Sequence, residues 1–311
     1  MSALGAIGSV LVGVALVVWG AERLVDGLLA TAARIGISAF ALTALLSGFE
    51  AENLAAGIAA NLQRLPGAAA GTFLGGTTFL AIGVAGIGAL AAPIRVQLPL
   101  RTLLYVAATL LLLLLLLGSD GRLSRIDGVL LLAWFAVAIV GFARGGERRD
   151  DPDDPVDAPR RGRVPGVVLL TSGLVVLTVG GALLGRGIRS AAQAFGVSAT
   201  LLGNTVVAAS VELEEVARVT VPSRRGRGDL AVANLLGTVI HFAAFNAGLI
   251  ALIKPLTLDA SSRALHLPVC VAATLLLCLM LKLRGGIGRW EGAMLLAAYV
   301  LYLALAVAFG S

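Results

Sequence analysis

Five glutamates lie inside long apolar stretches of this sequence, where a charged side chain is costly. They are Glu50, Glu52, Glu212, Glu214 and Glu215. A charge at the centre of a membrane helix costs about 2.5–3.5 kcal/mol on insertion scales, so these carboxylates need compensating partners. Arg218 follows Glu214 and Glu215 by one helical turn, and we expect it to pair with one of them. One arginine cannot neutralise five carboxylates, so the remaining partners are bound cations or protons.

Helical spacing places further side chains that contain oxygen beside these glutamates. On a helix, Asn53 shares a face with Glu50, and Glu215 shares one with Glu212. If two such helices cross, about four oxygen-bearing groups come together, and hard cations such as Na⁺ and Ca²⁺ prefer such clusters. The neighbouring stretches add further small polar residues. The predicted cation site consists of Glu50, Glu52, Asn53, Thr72, Glu212, Glu214, Glu215, Asn234 and Thr238.

Other interpretations of the same residues remain open. The glutamates could lie at a helix end that faces water, or form a structural hydrogen-bond network. The glycines near Thr72 and Thr238 could break their helices and free carbonyl oxygens for a cation, or could serve close helix packing alone. His241, one turn after Thr238, could relay protons or be a hydrogen-bonded core residue.

The composition is that of a polytopic membrane protein. Of 311 residues, 58% are hydrophobic, 14% charged and 5% aromatic, and the mean hydropathy is +0.96. These values exclude a soluble enzyme, a disulfide scaffold and a disordered chain. The net charge of +6 does not indicate a nucleic-acid partner, because the arginines lie between apolar runs rather than on one face. Cys270 and Cys278 would be about 12 Å apart on one helix, too far for a disulfide.

Ten segments are apolar enough to cross a bilayer, for which about 20 residues are needed. We predict spans at residues 4–30, 37–62, 67–92, 99–118, 125–143, 165–190, 197–221, 229–253, 264–283 and 289–309. The polar stretch at 144–164 is the predicted linker. It separates two five-helix halves, residues 1–143 and 165–311. No cleavable signal peptide is expected, because the first apolar stretch has no basic segment before it and is long enough to span.

The two halves repeat each other in sequence. Residues 50–55 match 212–217, and residues 70–76 match 232–238, both at an offset of 162. Two further matches, at 35–38 with 195–198 and at 124–128 with 288–292, have offsets of 160 and 164. An odd number of helices in each half gives the halves opposite orientations. The sequence therefore predicts an all-α fold of two inverted five-helix repeats, an architecture of many secondary transporters.

The distribution of Lys and Arg predicts the orientation. If the amino terminus is outside, most basic residues lie in loops on the inner side, including the linker. We therefore expect a multi-pass protein of the cell membrane with both termini outside and the bilayer as its surroundings.

Residues 196–216 resemble the start of the second alpha repeat of cation/Ca²⁺ exchangers, a family that includes the Na⁺/Ca²⁺ and H⁺/Ca²⁺ antiporters. The family's Gly-Thr-Ser-x-Pro-Glu-Leu pattern falls without gaps on residues 210–216 and assigns its glutamate to Glu215. Residues 228–238 are similar to its Asp-x-Ala-x-Gly-Asn-x-x-Gly-Ser pattern. The resemblance places the alpha motifs at about 36–92 and 196–253. It also implies that the long first and sixth helices slide across the others.

The first repeat resembles the family less closely, through residues 48–54 and 71–76. The family's first acidic position falls on Asn53, or on Glu52 if the alignment shifts by one residue. The later Asn/Asp ligand positions of the family fall on Leu80 and Phe242.

Glutamate replaces other residue types at four further motif positions. The Pro positions carry Glu52 and Glu214, and the Ser positions carry Glu50 and Glu212. The site is therefore richer in carboxylates than that of the usual exchanger.

These observations predict a secondary-active antiporter that exchanges Ca²⁺, or another cation, for Na⁺ or H⁺ by alternating access. The transported ions are its substrates and inorganic partners, and no cofactor is expected; the sequence does not indicate an oligomeric state. The alternatives are a passive cation channel, a transport-inactive scaffold of the same fold, and an intramembrane enzyme. The sequence contains no Gly-x-Ser-x-Gly, His-Glu-x-x-His or phosphate-loop motif, so it does not support an enzyme.

Overall fold

The computed structural model describes residues 3–48, 50–145, 164–194 and 213–310. These residues form long helices joined by short turns. The helices are α1 (Ala3–Ile35), α2 (Ala39–Leu46), α3 (Ala51–Leu62), α4 (Pro66–Ala91), α5 (Leu100–Asp120), α6 (Arg125–Gly145), α7 (Gly166–Ala194), α8 (Leu213–Arg224), α9 (Gly228–Ile253), α10 (Ser262–Arg284) and α11 (Arg289–Gly310). Eight helices in these ranges are long and apolar enough to cross a membrane. The chain is an integral, multi-pass membrane protein.

Eight of the ten predicted spans coincide with these eight helices. The second predicted span, 37–62, is wrong as one continuous helix. The helix is interrupted, because α2 ends at Leu46 and α3 begins at Ala51. Only the final part of the seventh, 197–221, is described, as α8. Nearly all of the predicted linker at 144–164 lies outside the described residues.

Gly48 marks the break between α2 and α3. Ser47 is extended, with φ −64° and ψ 148°, and Gly48 has φ +75°. This left-handed conformation is costly for residues other than glycine. A Cβ at Gly48 would also lie 2.5 Å from the Cβ of His241 in α9. The break is therefore fixed both by backbone conformation and by close packing on α9.

Helices α4 and α9 form the centre of the molecule. In the most apolar part of each, 78% of residues are buried, against 17% in α11. Both helices remain continuous, so their glycines do not break them. They contain π-helical turns instead, at Gly71–Gly75 and Phe79–Val84 in α4 and at His241–Asn246 in α9. Such turns are rare and occur frequently at functional sites.

Helices α1 and α7 pack along each other in antiparallel directions through glycines. A Cβ at Gly20 would lie 2.6 Å from the backbone N of Leu177, and a Cβ at Gly173 would lie 2.6 Å from that of Leu24. Small residues allow membrane helices to approach backbone to backbone. These glycines therefore set the short distance between the two long helices.

Two short antiparallel strand pairs connect the halves of the chain. Strand β1 (Ile94–Arg95) pairs with β4 (Gly286–Ile287), and β2 (Arg122–Leu123) pairs with β3 (Leu256–Thr257). Each pair joins one residue stretch from the first half to one from the second. These pairs depend on long-range contacts, so they could not be predicted from the sequence.

Candidate cation site

Two glutamates and an arginine of α8 form an ion-pair network, in which Glu215 and Arg218 are buried. Arg218 Nη1 donates a hydrogen bond to Glu215 Oε1 at 2.9 Å, and Arg218 Nη2 donates to Glu214 Oε1. Glu215 is 1% exposed and Arg218 is 9% exposed. The predicted pairing of Arg218 with Glu214 or Glu215 is confirmed, and the arginine pairs with both.

Asn234 of α9 completes the surroundings of Glu215. Its Nδ2 donates to Glu215 Oε2 at 2.6 Å, and the residue is 5% exposed. Each oxygen of the Glu215 carboxylate therefore accepts one strong, charge-assisted hydrogen bond. An ionised carboxylate offers about four lone-pair sites, so Glu215 keeps acceptor capacity beyond these two bonds.

Glu50 contributes a third carboxylate from the start of α3. Its side chain does not cap the helix that follows it, and its Oε1 is buried. The carboxylate interacts electrostatically with the Arg218 guanidinium. We call Glu50, Glu214, Glu215, Arg218 and Asn234 the Glu215 cluster.

The break at Gly48 positions Glu50 near this cluster. A Cβ at Gly237, one turn after Asn234, would overlap the Oγ of Ser47. The end of α2 therefore lies directly on α9, the helix that also carries Asn234. Helix α7 borders the other side, since a Cβ at Gly181 would lie 3.6 Å from Glu214 Oε2.

Two predicted ligands of the first half, Asn53 and Thr72, lie where α3 packs against α4. Asn53 Nδ2 lies 3.7 Å from the position that a Cβ would take at Gly76. Thr72 Oγ1 donates to the carbonyl oxygen of Ala69 at 2.8 Å and lies 2.6 Å from the Cβ position at Gly57. Within the described part of the chain, no hydrogen bond joins Asn53 or Thr72 to Glu215.

The remaining predicted ligand positions differ in their surroundings and in whether the structure describes them. Thr238 is fully buried, and its hydroxyl donates to the carbonyl oxygen of Asn234 at 2.9 Å, so it supports the backbone of that residue. Glu212 and the side chain of Glu52 lie outside the described residues. Leu80 and Phe242 are fully buried and have no side-chain oxygen.

The surroundings of His241 are those of a core residue. Its Nδ1 donates to the carbonyl oxygen of Gly237 at 2.9 Å, and its ring lies 4.7 Å from that of Phe135 and 6.5 Å from that of Phe245, centroid to centroid. Of the two interpretations left open by the sequence, the structure supports the hydrogen-bonded core residue.

The sequence predicts the pairing of Arg218, but this residue is not among the predicted site residues. The signal was its position in a largely apolar stretch with two acids one turn before it. In the described ranges, no group of three His, Cys, Asp or Glu side chains is arranged to hold one metal ion. A guanidinium instead interacts with all three carboxylates of the Glu215 cluster.

A multi-pass helical membrane protein with a buried, ion-paired carboxylate such as Glu215 has the features of an ion transporter. The family model for sodium/calcium exchanger protein matches residues 5–144 and 165–308. The chain belongs to the sodium/calcium exchanger family, and it is a cation antiporter rather than an enzyme. The family uses the transported ions as substrates, without a cofactor.

Individual relatives cover nearly the whole chain. CaxA of Alkalimonas amylolytica is 32% identical over 310 residues, which are 94% of this chain and 96% of CaxA. The inner membrane protein YrbG of Escherichia coli is 28% identical over 313 residues, 95% and 94% of the two chains. The solved structure of the sodium-calcium exchanger NCX_Mj, soaked with zero Na⁺ and Ca²⁺, superposes with a TM-score of 0.80 at 26% identity. It covers 97% of this chain and 98% of NCX_Mj.

Proposed function

We propose that this antiporter exchanges Ca²⁺, or another cation, for Na⁺ or H⁺ by alternating access at the Glu215 cluster. The observation that carries the proposal is the burial of Glu215, which is 1% exposed and is bonded to two donors from α8 and α9. A buried carboxylate in a membrane protein marks an ion or proton path by default. The cation and its counter-ion bind the same carboxylates in turn, which couples their movements.

The other predicted ligands complete this proposed site. Glu52, Asn53 and Thr72 contribute from the first half, and Glu212 and Thr238 contribute from the second. Asn53 lies at the boundary of α3 and α4, with its amide nitrogen toward Gly76, and contributes its amide oxygen. The backbone carbonyl of Asn234 in α9, which accepts a hydrogen bond from the Thr238 hydroxyl, is a further oxygen.

We also propose that the fold is two inverted repeats of five spans, with residues 1–143 and 165–311 as the halves and 144–164 as the linker. Corresponding elements at an offset of 162 support this: α4 and α9 begin at Pro66 and Gly228, and they contain π-helical turns at Phe79–Val84 and His241–Asn246. The excess of basic residues in the loops on one side supports termini outside the cell membrane.

The function is tested by ion uptake into liposomes that contain the purified protein. We expect ⁴⁵Ca²⁺ to accumulate when an outward Na⁺ or H⁺ gradient is present and to stop when that gradient is removed. Uptake that persists without any counter-ion gradient would instead establish a passive channel. If neither gradient drives uptake, Ca²⁺ is not the substrate, and a transport-inactive scaffold becomes the alternative.

Replacing Asn234 by alanine is expected to weaken cation binding about tenfold, because it removes the hydrogen bond that orients Glu215. The measurement is the cation concentration that gives half-maximal uptake. Asn246→Ala is the matched control, since Asn246 is also a buried amide on α9, and its Nδ2 donates to no described residue. An equal effect of the two substitutions would show that Asn234 acts only through packing.

A further inference from the structure

Arg218 occupies oxygens that a transported cation would use. Its two terminal nitrogens donate to Oε1 of Glu215 and to Oε1 of Glu214, and its charge also acts on Glu50. A guanidinium stays protonated in proteins and has no acceptor to offer. This positive charge is therefore a permanent part of the site.

We propose that Arg218 is a specificity-determining residue, a tethered cation that makes the site favour monovalent over divalent cations. The proposal rests on the proposed function of the Glu215 cluster. Repulsion between the guanidinium and a bound ion is twice as large for a divalent ion as for a monovalent one at the same distance. A fixed positive charge thus disfavours Ca²⁺ more than Na⁺ or H⁺.

The arginine is present at only one of the two corresponding positions in the halves of the chain. Position 56, which is 162 residues before Arg218, carries Ala56, an exposed residue without charge. The Asn53 position, which corresponds to Glu215, is likewise neutral. The second half therefore contains both the carboxylate and the cation that competes for it.

The hydrogen bonds of Arg218 allow its guanidinium to move away from the carboxylates when a cation binds. Its Nε–H donates to no acceptor among the described residues, so the guanidinium is held only through its terminal nitrogens. Both of these bonds go to carboxylates on its own helix. When a cation binds the carboxylates, no hydrogen bond between helices needs to break at Arg218.

Cation binding to the purified, full-length protein in detergent tests the proposal by calorimetric titration with CaCl₂ and with NaCl. We expect Arg218→Gln to lower the Kd for Ca²⁺ by at least about tenfold and the Kd for Na⁺ by less, so that the preference for Ca²⁺ rises. Arg218→Lys keeps the charge and is expected to leave that preference within about threefold of the wild type.

The matched control is Arg225→Gln, which removes an exposed arginine ion pair with Asp26, two turns beyond Arg218. A purely structural role of Arg218 would weaken binding of both ions together. An unchanged ratio of the two Kd values in folded Arg218→Gln, or the same ratio change in Arg225→Gln, would overturn the proposal.

Arg218→His keeps the proposal testable if Arg218→Gln does not fold. A histidine changes its charge between about pH 5 and pH 8. We expect the preference of this variant for Ca²⁺ to rise over that range more than in the wild type, and an equal rise in both would overturn the proposal.

If the wild type binds neither ion and exchanges none in liposomes, the proposed function itself fails. Normal wild-type exchange with an unmoved ratio in the variants would reject the role of Arg218 alone.

Discussion

Glu215→Gln is expected to reduce gradient-driven cation exchange by at least about tenfold, the lower end of the effect of disturbing a metal site. The substitution removes a negative charge from a residue that is 1% exposed. Each oxygen of Glu215 accepts one hydrogen bond, from Arg218 Nη1 and from Asn234 Nδ2. Glutamine has one acceptor oxygen, so one of these donors would face an amide NH₂ group. The measurement is the initial rate of uptake into liposomes under the gradient that drives the wild type.

Glu22→Gln is the control for this substitution. Glu22 is an exposed carboxylate of α1 whose ion pair with Arg225 spans 4.0 Å, so its loss is expected to leave exchange unchanged. The size-exclusion profile of each variant checks that the protein remains folded. A folded Glu215→Gln variant that exchanges cations at the wild-type rate would contradict the assignment of the site.

Gly173→Val is expected to impair both stability and transport, because it separates α1 from α7. A Cβ at this position would lie 2.6 Å from the backbone N and 2.9 Å from the Cα of Leu24. Backbone atoms cannot move aside as a flexible side chain can, so the two helices must shift apart. Overpacking of this kind costs about 1–3 kcal/mol in the free energy of unfolding. The shift also moves Gly181, which borders Glu214, and we therefore expect a slower exchange rate.

Thermal unfolding and liposome uptake measure these two effects. Gly8→Val is the matched control on α1, since a Cβ at Gly8 would meet nothing within 4 Å. We expect it to behave like the wild type in both assays. Equal unfolding temperatures for the two variants would show that close contact between α1 and α7 is not needed for stability.

The features that could be predicted from the sequence depend on local patterns. A run of about 20 apolar residues has few alternatives to a membrane helix, and eight of the predicted spans coincide with such helices. The spacing from Glu214 and Glu215 to Arg218 places their side chains on one helix face, so their pairing follows without knowledge of the fold.

The break in the second predicted span could not be located from the sequence. Gly48 is one of many glycines, and its left-handed conformation accompanies the close packing of the end of α2 on His241 and Gly237. Conversely, the glycines of α4 and α9 lie in helices that continue through π-helical turns. Which glycine ends a helix therefore depends on neighbours that are distant in sequence.

The composition of the site depends on the same distant contacts. The hydrogen bond from Asn234 to Glu215 connects α9 with α8. The electrostatic attraction between Glu50 and Arg218 acts between the two halves of the chain. The sequence predicted these residue types as oxygen ligands but did not predict that a guanidinium would interact with all three carboxylates. Whether Glu52 or Asn53 is the acidic position of the first half stays a prediction.

The location of a bound cation tests the central claim most directly. Crystals of the protein soaked separately with Sr²⁺ and with Tl⁺ would reveal each ion through its anomalous scattering. We predict a peak beside the Glu215 carboxylate in at least one soak, within about 2.3–2.6 Å of its oxygens for an ion of the size of Ca²⁺. If the same preparation transports the ion and the anomalous peaks lie away from the Glu215 cluster in both soaks, the account of the site is wrong.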